Sequence, residues 1–204
     1  MAVIRFNGEL EAHRNEFLRL EGLASAPYND FVYDDAEQSL AVRSYVLDIG
    51  AAEFAPPHGS IAREGSSVVG VLACLTGQEL SSARLRTAMA LARTEHLRLD
   101  AVVQQRARIA AKTLAAPQRQ DFYLSRISVV ESRRGHGVGS RLMGEYERRG
   151  REEGCDRLIL EVAANFAEAI HLYERHGFTI MDDRAVVDEI TGRRLAYLHM
   201  TKSL

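Results

Sequence analysis

Apolar residues along the chain recur with the period of a strand in some stretches and of a helix in others. Residues 3–6 read as a short strand, and Leu10, His13, Phe17, Leu18 and Leu20 fall at helical spacing within residues 8–23. Pro27-Tyr28-Asn29-Asp30 is expected to break that helix, and a second helical pattern runs over residues 35–47. Residues 50–59, with Pro56-Pro57, read as a linker. After them, strands at 60–63 and 68–75 are joined through the turn formers Glu64-Gly65-Ser66-Ser67 as a hairpin.

From 79 to about 114 the composition shifts to Ala, Arg and Leu. Leu80, Leu85, Met89, Ala92, Leu99, Val103, Ala110 and Leu114 sit at loose helical spacing there, which predicts two helices. After Pro117 the pattern gives a strand at 122–130, a glycine-rich loop, a helix at 138–153 and a strand at 157–162, a β-loop-α-β unit. A helix at 167–176 ends at Gly177, where a left-handed cap is expected. Strands at 178–181 and 195–200 follow, separated by a loop with Thr191-Gly192.

With 204 residues, 46% of them hydrophobic, the chain is long enough for one sizeable core, and one domain is expected. No run approaches the roughly 20 apolar residues that span a bilayer, and the N-terminus lacks the layout of a signal peptide. A net charge of -2 argues against a general nucleic-acid or membrane-surface binder. Cys74 and Cys155 suit thiols in a reducing compartment, the cytoplasm. His171 and His176 are not at the i,i+4 spacing of paired ligands, so no metal site is expected.

The candidate chemistry lies in the loop Arg134-Gly135-His136-Gly137-Val138-Gly139-Ser140. A strand that stops, alternate glycines and a helix start place unpaired N–H groups and the positive end of a helix dipole around one hollow. Arg133, Arg134 and Arg141 can add charge-assisted bonds to phosphate oxygens. A tight turn with no ligand fits the same residues. So does a dinucleotide-binding oxidoreductase, with Glu161 near the distance of a ribose-binding acid, although Ser140 stands where GxGxxG needs glycine.

A further reading fits more positions. Ile127-Ser128-Val129, the loop, and Ala169-Ile170-His171-Leu172-Tyr173-Glu174-Arg175-His176-Gly177-Phe178 together resemble the GNAT superfamily of acyl-CoA-dependent N-acyltransferases. The likeness covers residues 122–204, while residues 1–77 agree in element order. The resemblance implies one α+β domain over 1–204: a mixed, mostly antiparallel sheet with helices on both faces and one parallel strand pair. The helical insertion at about 79–118 exceeds the family's usual connection. It also implies acetyl-CoA as cosubstrate, with its pyrophosphate on the amides of the loop and its pantetheine arm along Ile127, Ser128 and Val129. The family's pantetheine-binding asparagine falls at Phe166 here, with Asn165 one residue upstream.

Acyl transfer to an amine needs a neutral nucleophile, a donor for the oxyanion and help for the departing thiolate. The resemblance implies that a backbone N–H near 127–129 meets the oxyanion and that the Tyr173 hydroxyl meets the CoA sulfur. With Tyr near 10 and a thiol near 8.5, full proton transfer is uphill by about 2 kcal/mol, so a hydrogen bond is the expected contribution. Tyr173 also shares a helical face with Ala169, Leu172 and His176, as a core residue would. Asp121, Glu161 and His199 all stand as general-base candidates.

The expected reaction is direct acetyl transfer to a primary amine, small-molecule or peptide, in a ternary complex. A non-catalytic acyl-CoA sensor or interaction module is a further alternative. Residues 27–53 carry Asp30, Asp34, Asp35, Glu37, Asp48 and Glu53 against Arg43, with Tyr28, Phe31 and Tyr33. That composition reads as an acidic, aromatic rim for a cationic amine, or as a solvated helix face. Arg84, Arg86, Arg93, Arg98, Arg106 and Arg108 of the insertion suggest a nucleic-acid or ligand-phosphate contact or, more plainly, a flap or a homodimer surface, their stems covering apolar area.

Overall fold

The computed structural model describes the backbone of residues 2–5, 10–97 and 99–204, with side chains from residue 12 onward except 98. Phe6, Gly8 and Arg98, on which expectations fell, lie outside the described residues. In chain order the elements are β1 (Ala2–Arg5), α1 (Leu10–Ala24), α2 (Ala26–Val32), α3 (Ala36–Asp48), β2 (Gly59–Glu64), β3 (Ser67–Thr76), α4 (Gly77–Ala92) and α5 (Ala101–Ala110). They continue with β4 (Asp121–Val129), α6 (Val138–Glu152), β5 (Arg157–Ala163), α7 (Ala167–Arg175), β6 (Thr179–Val187) and β7 (Arg194–Ser203).

The seven strands form one sheet in the order β1-β2-β3-β4-β5-β7-β6. β4 and β5 are parallel and every other pair is antiparallel. This is the expected α+β architecture. One face buries Phe122, Leu124, Leu158 and Leu160 against Leu142, Met143 and Tyr146 of α6 and Tyr173 of α7. The other packs Ile61, Val71 and Ala73 under Phe17 and Leu20 of α1 and Val46 and Leu47 of α3. Further along that face, α4 covers Tyr123 and Ile159 with Leu80 and Ala83.

As expected, α1 ends just ahead of Pro27, at Ala24, but Pro27-Tyr28-Asn29-Asp30 is not a loop: it lies inside the next helix, α2, with proline in its first turn. There its missing N–H has no intrahelical partner to lose. The strand expected at 178–181 extends through Val187. β6 is the sheet edge, so Asp182, Asp183 and Arg184 can stand on it without being buried, and such charges deter pairing with another chain.

The insertion is a pair of well-capped helices. Thr76 and Glu79 form a capping box at the start of α4, and Asp100 accepts the N–H groups of Val102 and Val103 at 2.9 Å at the start of α5. Its two ends meet: Thr76 pairs with Phe122, and a Cβ added to Gly77 would lie 2.0 Å from the Gln118 carbonyl oxygen. Only glycine fits that approach. On the opposite face Tyr146 pins β4 to β5. Its hydroxyl lies 2.6 Å from Phe122 O and 2.9 Å from Ile159 O, and accepts Ile159 N–H at 3.1 Å.

Candidate active site

The pairing of β4 with β5 runs from Asp121↔Arg157 to Leu124↔Leu160 and ends there, although both strands continue. At the parting point Ser125 is an extra residue in the β3–β4 ladder, where Ala73 pairs with Arg126 and Cys74 with Leu124. Such a bulge re-aims the strand. Beyond it, Val130 donates N–H to Val69 O at 3.0 Å, which sets the ladder's phase. All four residues 126–129 are in register with β3, but Arg126 and Ser128 direct their N–H groups to it, while Ile127 and Val129 turn theirs toward the opening. Of the three expected residues on this strand, Ser128 has its amide committed to the sheet.

The loop follows at the same end of the sheet. Arg133 N–H donates to Val130 O at 2.9 Å and Arg134 N–H to Glu131 O at 3.1 Å. Gly135 and Gly137 then take φ values of 73° and 79°, left-handed conformations that favour glycine. The first bond of α6 is Arg141 N–H to Gly137 O, and its N-cap has no side-chain acceptor. The N–H groups of residues 135–140 thus have no acceptor among the described residues, and a Cβ at Gly135 or Gly137 would meet nothing within 4 Å. Buried Val138 anchors this helix end while Gly135, His136, Gly137 and Ser140 are exposed. The His136 Nδ1–H donates to Arg134 O at 2.7 Å. Arg133 is paired with Glu64, which leaves Arg134 and Arg141 as the exposed cations.

Tyr173 is set by the end of its helix. Phe178 N–H donates to Tyr173 O at 3.0 Å and Gly177 N–H to Glu174 O at 2.9 Å, with Gly177 at φ 82°, a complete Schellman motif. The Phe178 ring packs on Tyr173 at 6.2 Å between centroids, the apolar contact that accompanies such caps. Tyr173 is buried, and its hydroxyl has no hydrogen-bond partner among the described residues. Burial pushes its pKa above the ordinary tyrosine value. Asn165 is exposed in the turn between β5 and α7, at the sheet end that carries the glycine loop.

The face of the opening turned toward α1 and α4 holds a polar cluster. Arg126, the charge in the interior of β4, bridges Glu21 Oε1 at 2.8 Å and Glu53 Oε1 at 3.0 Å. Arg43 binds Glu21 Oε2 at 2.8 Å, and Arg84 of the insertion lies 3.5 Å from Glu53 Oε2 and 5.6 Å from the Tyr123 ring centre. Burial alone would raise the Glu53 pKa. Arg126, Arg84 and the Ser125 hydroxyl outweigh it and hold the carboxyl below its usual value.

The three base candidates are placed apart. Asp121 lies at the paired end of β4, buried and bound to Arg157 Nε at 2.8 Å and to Gln118 N–H at 2.6 Å. His199 is buried and donates Nε2–H to Thr113 O at 2.7 Å. Glu161 is the first β5 residue past the parting point. Its Oε1 accepts from the Tyr123 hydroxyl at 2.6 Å and its Oε2 from Ala115 N–H at 3.2 Å. Burial raises the Glu161 pKa, a shift that the Tyr123 hydrogen bond and Arg84 oppose.

The acidic rim expected over residues 27–53 is largely neutralised from elsewhere. Asp48 pairs with Arg14, Asp34 with Arg106 and Arg193, and Glu53 with Arg126 and Arg84, while Asp35 caps α3. Asp30 and Glu37 remain exposed. A groove of about 720 Å³ opens among α1, α2 and α3, with Arg193 of the β6–β7 connection on its rim. Glu21, Tyr123 and Arg126 escape sequence reasoning, and Arg84 is read there only as one of the insertion's arginines. The available signal was Arg126, a charge in the interior of β4.

A splayed parallel pair ending in a donor-rich loop, on a sheet of this order, defines an α+β acyltransferase. The acetyltransferase (GNAT) family model matches residues 23–178, and the chain belongs to that family. It is therefore an acyl-CoA-dependent N-acyltransferase, with acetyl-CoA the family's cosubstrate. Solved structures share the fold at low identity. An N-acetyltransferase from Staphylococcus aureus Mu50 aligns with a TM-score of 0.71 at 12% identity, covering 99% of this chain and 100% of that one. A ribosomal-protein-alanine N-acetyltransferase from Brucella melitensis gives 0.57 at 22%, covering 100% of both. Ard1 from Thermoplasma volcanium gives 0.59 at 16%, covering 100% of this chain and 97% of that one. No curated protein matches the chain. No helix among the described residues is long and apolar enough to cross a membrane.

Proposed function

We propose that residues 1–204 act as one domain that transfers an acetyl group from acetyl-CoA directly to a primary amine, with both substrates held at the opening between β4 and β5. The observation that carries this reading is the row of unclaimed N–H groups at 135–140, at the end of a strand whose Ile127 and Val129 amides face the opening. A diphosphate would sit on the loop amides beside exposed Arg134, and a pantetheine arm would run along Ile127 and Val129 with Asn165 at its margin. The open space over Gly135 and Gly137 fits such a group.

In this reading an outward amide at 127 or 129 donates to the carbonyl oxygen as it becomes an oxyanion. Tyr173 donates a hydrogen bond to the departing sulfur. Its raised pKa makes outright proton transfer still less favourable, so the hydroxyl stabilises the thiolate without protonating it. Glu161 is the base: Asp121 is saturated at the closed end, and His199 holds its Nε2 proton on Thr113 O while its Nδ1 lies on the side of Asp182 of the edge strand β6, 4.0 Å away. A pKa above the ordinary carboxylate value suits a group that takes a proton from an ammonium acceptor near neutral pH.

The acceptor is a small-molecule or peptide amine. The name of the Brucella protein specifies a ribosomal-protein alanine; that likeness is one of fold, so peptide amines belong in the test alongside polyamines and amino sugars. Cys74 and Cys155 both remain thiols, which fits a cytoplasmic home. Thiol release from acetyl-CoA across such a panel is expected for one amine class. Acetyl-CoA should raise the melting temperature and NADH should not. A rise with NADH alone would favour the dinucleotide reading, and tight acetyl-CoA binding without thiol release would favour a sensor.

A further inference from the structure

Besides Glu53, which Arg84 approaches, the inserted segment meets the carboxylate read as the base. Glu161 leaves β5 with both oxygens already engaged: Oε1 by the Tyr123 hydroxyl at 2.6 Å, and Oε2 by the main-chain N–H of Ala115, in the last stretch of the insertion between α5 and β4. Tyr123 is itself held. It is buried with Leu75, Leu80, Ala83, Ala115 and Ile159, and the Arg84 guanidinium lies over its ring. Arg84 Nη1 in turn donates to Ala115 O at 2.8 Å, so the residue that donates to Glu161 is fixed by the helix that covers Tyr123. These contacts close a circuit from α4 through Ala115, Glu161 and Tyr123 back to α4.

We propose that Tyr123 is a positioning residue for Glu161 and that the insertion, through Ala115, is the second half of the clamp. The proposal rests on Glu161 being the base. A glutamate carboxylate on three rotatable bonds is otherwise free to turn from the acceptor, and two donors on separate oxygens fix its plane. A hydrogen-bond donor favours the ionised form of a carboxylate, and the Tyr123 hydroxyl opposes the rise that burial causes, which keeps the group available to take a proton. The other charged or titratable groups facing Glu161 are Arg84 on α4, Glu53 before β2, and His199 and Tyr197 on β7. All of them stay in place when only the Tyr123 hydroxyl is removed.

The test reads Glu161 directly, without knowledge of the acceptor. Protein labelled with δ-13C glutamate is titrated by NMR, and the Glu161 signal is the one missing in Glu161→Gln. In Tyr123→Phe its midpoint is expected to rise by about one pH unit, the size of a lost hydrogen bond to an ionised group. Ala115→Pro deletes the other donor. The preceding Leu114 already has the extended backbone (φ -77°, ψ 146°) that proline demands, and a shift in the same direction is expected. In thiol release with acetyl-CoA and the best amine of the panel, Tyr123→Phe should lose about tenfold in kcat while KM for acetyl-CoA stays within about twofold. An unmoved midpoint in Tyr123→Phe, or an unchanged kcat, overturns the clamp. If Glu161→Gln keeps full thiol release, the base assignment is what fails, whatever the titration shows, and the clamp loses its catalytic meaning with it.

Discussion

Single side chains in this protein carry charge into places that favour neutrality. Glu53 is the clearest case, an ionised group held beside Arg126 and Arg84. Replacing it with glutamine should destabilise the fold by about 3 kcal/mol in urea titration, because the Arg126 charge is left short of a partner. The pH dependence follows from the sign of the shift. The folded-state pKa lies below the unfolded value, so this stabilisation is fully present above the unfolded pKa and fades as pH falls through the folded one. The gap between wild type and Glu53→Gln should therefore shrink on acidification; a gap that persists at low pH would assign the loss to packing. For Tyr173→Phe, the lost hydrogen bond to the leaving sulfur should lower kcat roughly 10- to 100-fold at constant melting temperature. Wild-type turnover in that variant would remove the tyrosine from the reaction.

At the scale of elements, two devices shape the opening. Tyr146 of α6 keeps β4 and β5 together just before they part. Tyr146→Phe strands buried backbone groups, so a loss of about 1–3 kcal/mol is expected together with lower activity at full acetyl-CoA saturation. Gly137 makes the turn into α6 at φ 79°. A β-branched residue is strained there by about 1–2 kcal/mol, and Gly137→Val should raise KM for acetyl-CoA roughly tenfold while kcat at saturation changes little. An unchanged KM would separate the loop from cofactor binding. These devices were legible to different degrees. The loop and the Gly177-Phe178 cap could be read directly, because left-handed turns demand glycine at fixed local positions. β6 was underread beyond Met181, since an edge strand need not alternate apolar with polar residues.

At the scale of the whole molecule, long-range ion pairs decide how the helices sit over the sheet. Arg126 meets Glu21 across 105 positions and Arg106 meets Asp188 across 82, separations at which no local pattern names a partner. For that reason the acids of 27–53 looked unopposed in the sequence, while their counterions arrive from α1, α4, α5, β4 and the β6–β7 connection. The insertion's arginines, readable as a flap or a homodimer surface, prove in two cases to serve this purpose: Arg84 reaches Glu53, and Arg106 is buried between Asp34 and Asp188. Arg106→Met should lower the thermal midpoint and speed amide hydrogen exchange first in α5, before the central strands respond. Uniform acceleration across the sheet would mean that α5 is not a separately held piece.

Because Gly77 and Gln118 all but touch, the polypeptide leaves the sheet and comes home through a single doorway. Shortening the excursion to a turn would leave β3 and β4 in register, because both ends already stand side by side. It would remove the ceiling above Tyr123, one of the two hands on Glu161, and the counterions of Glu53, Asp34 and Asp188 together. The glycine loop and the outward amides of β4, which the excursion does not hold, would stay as they are.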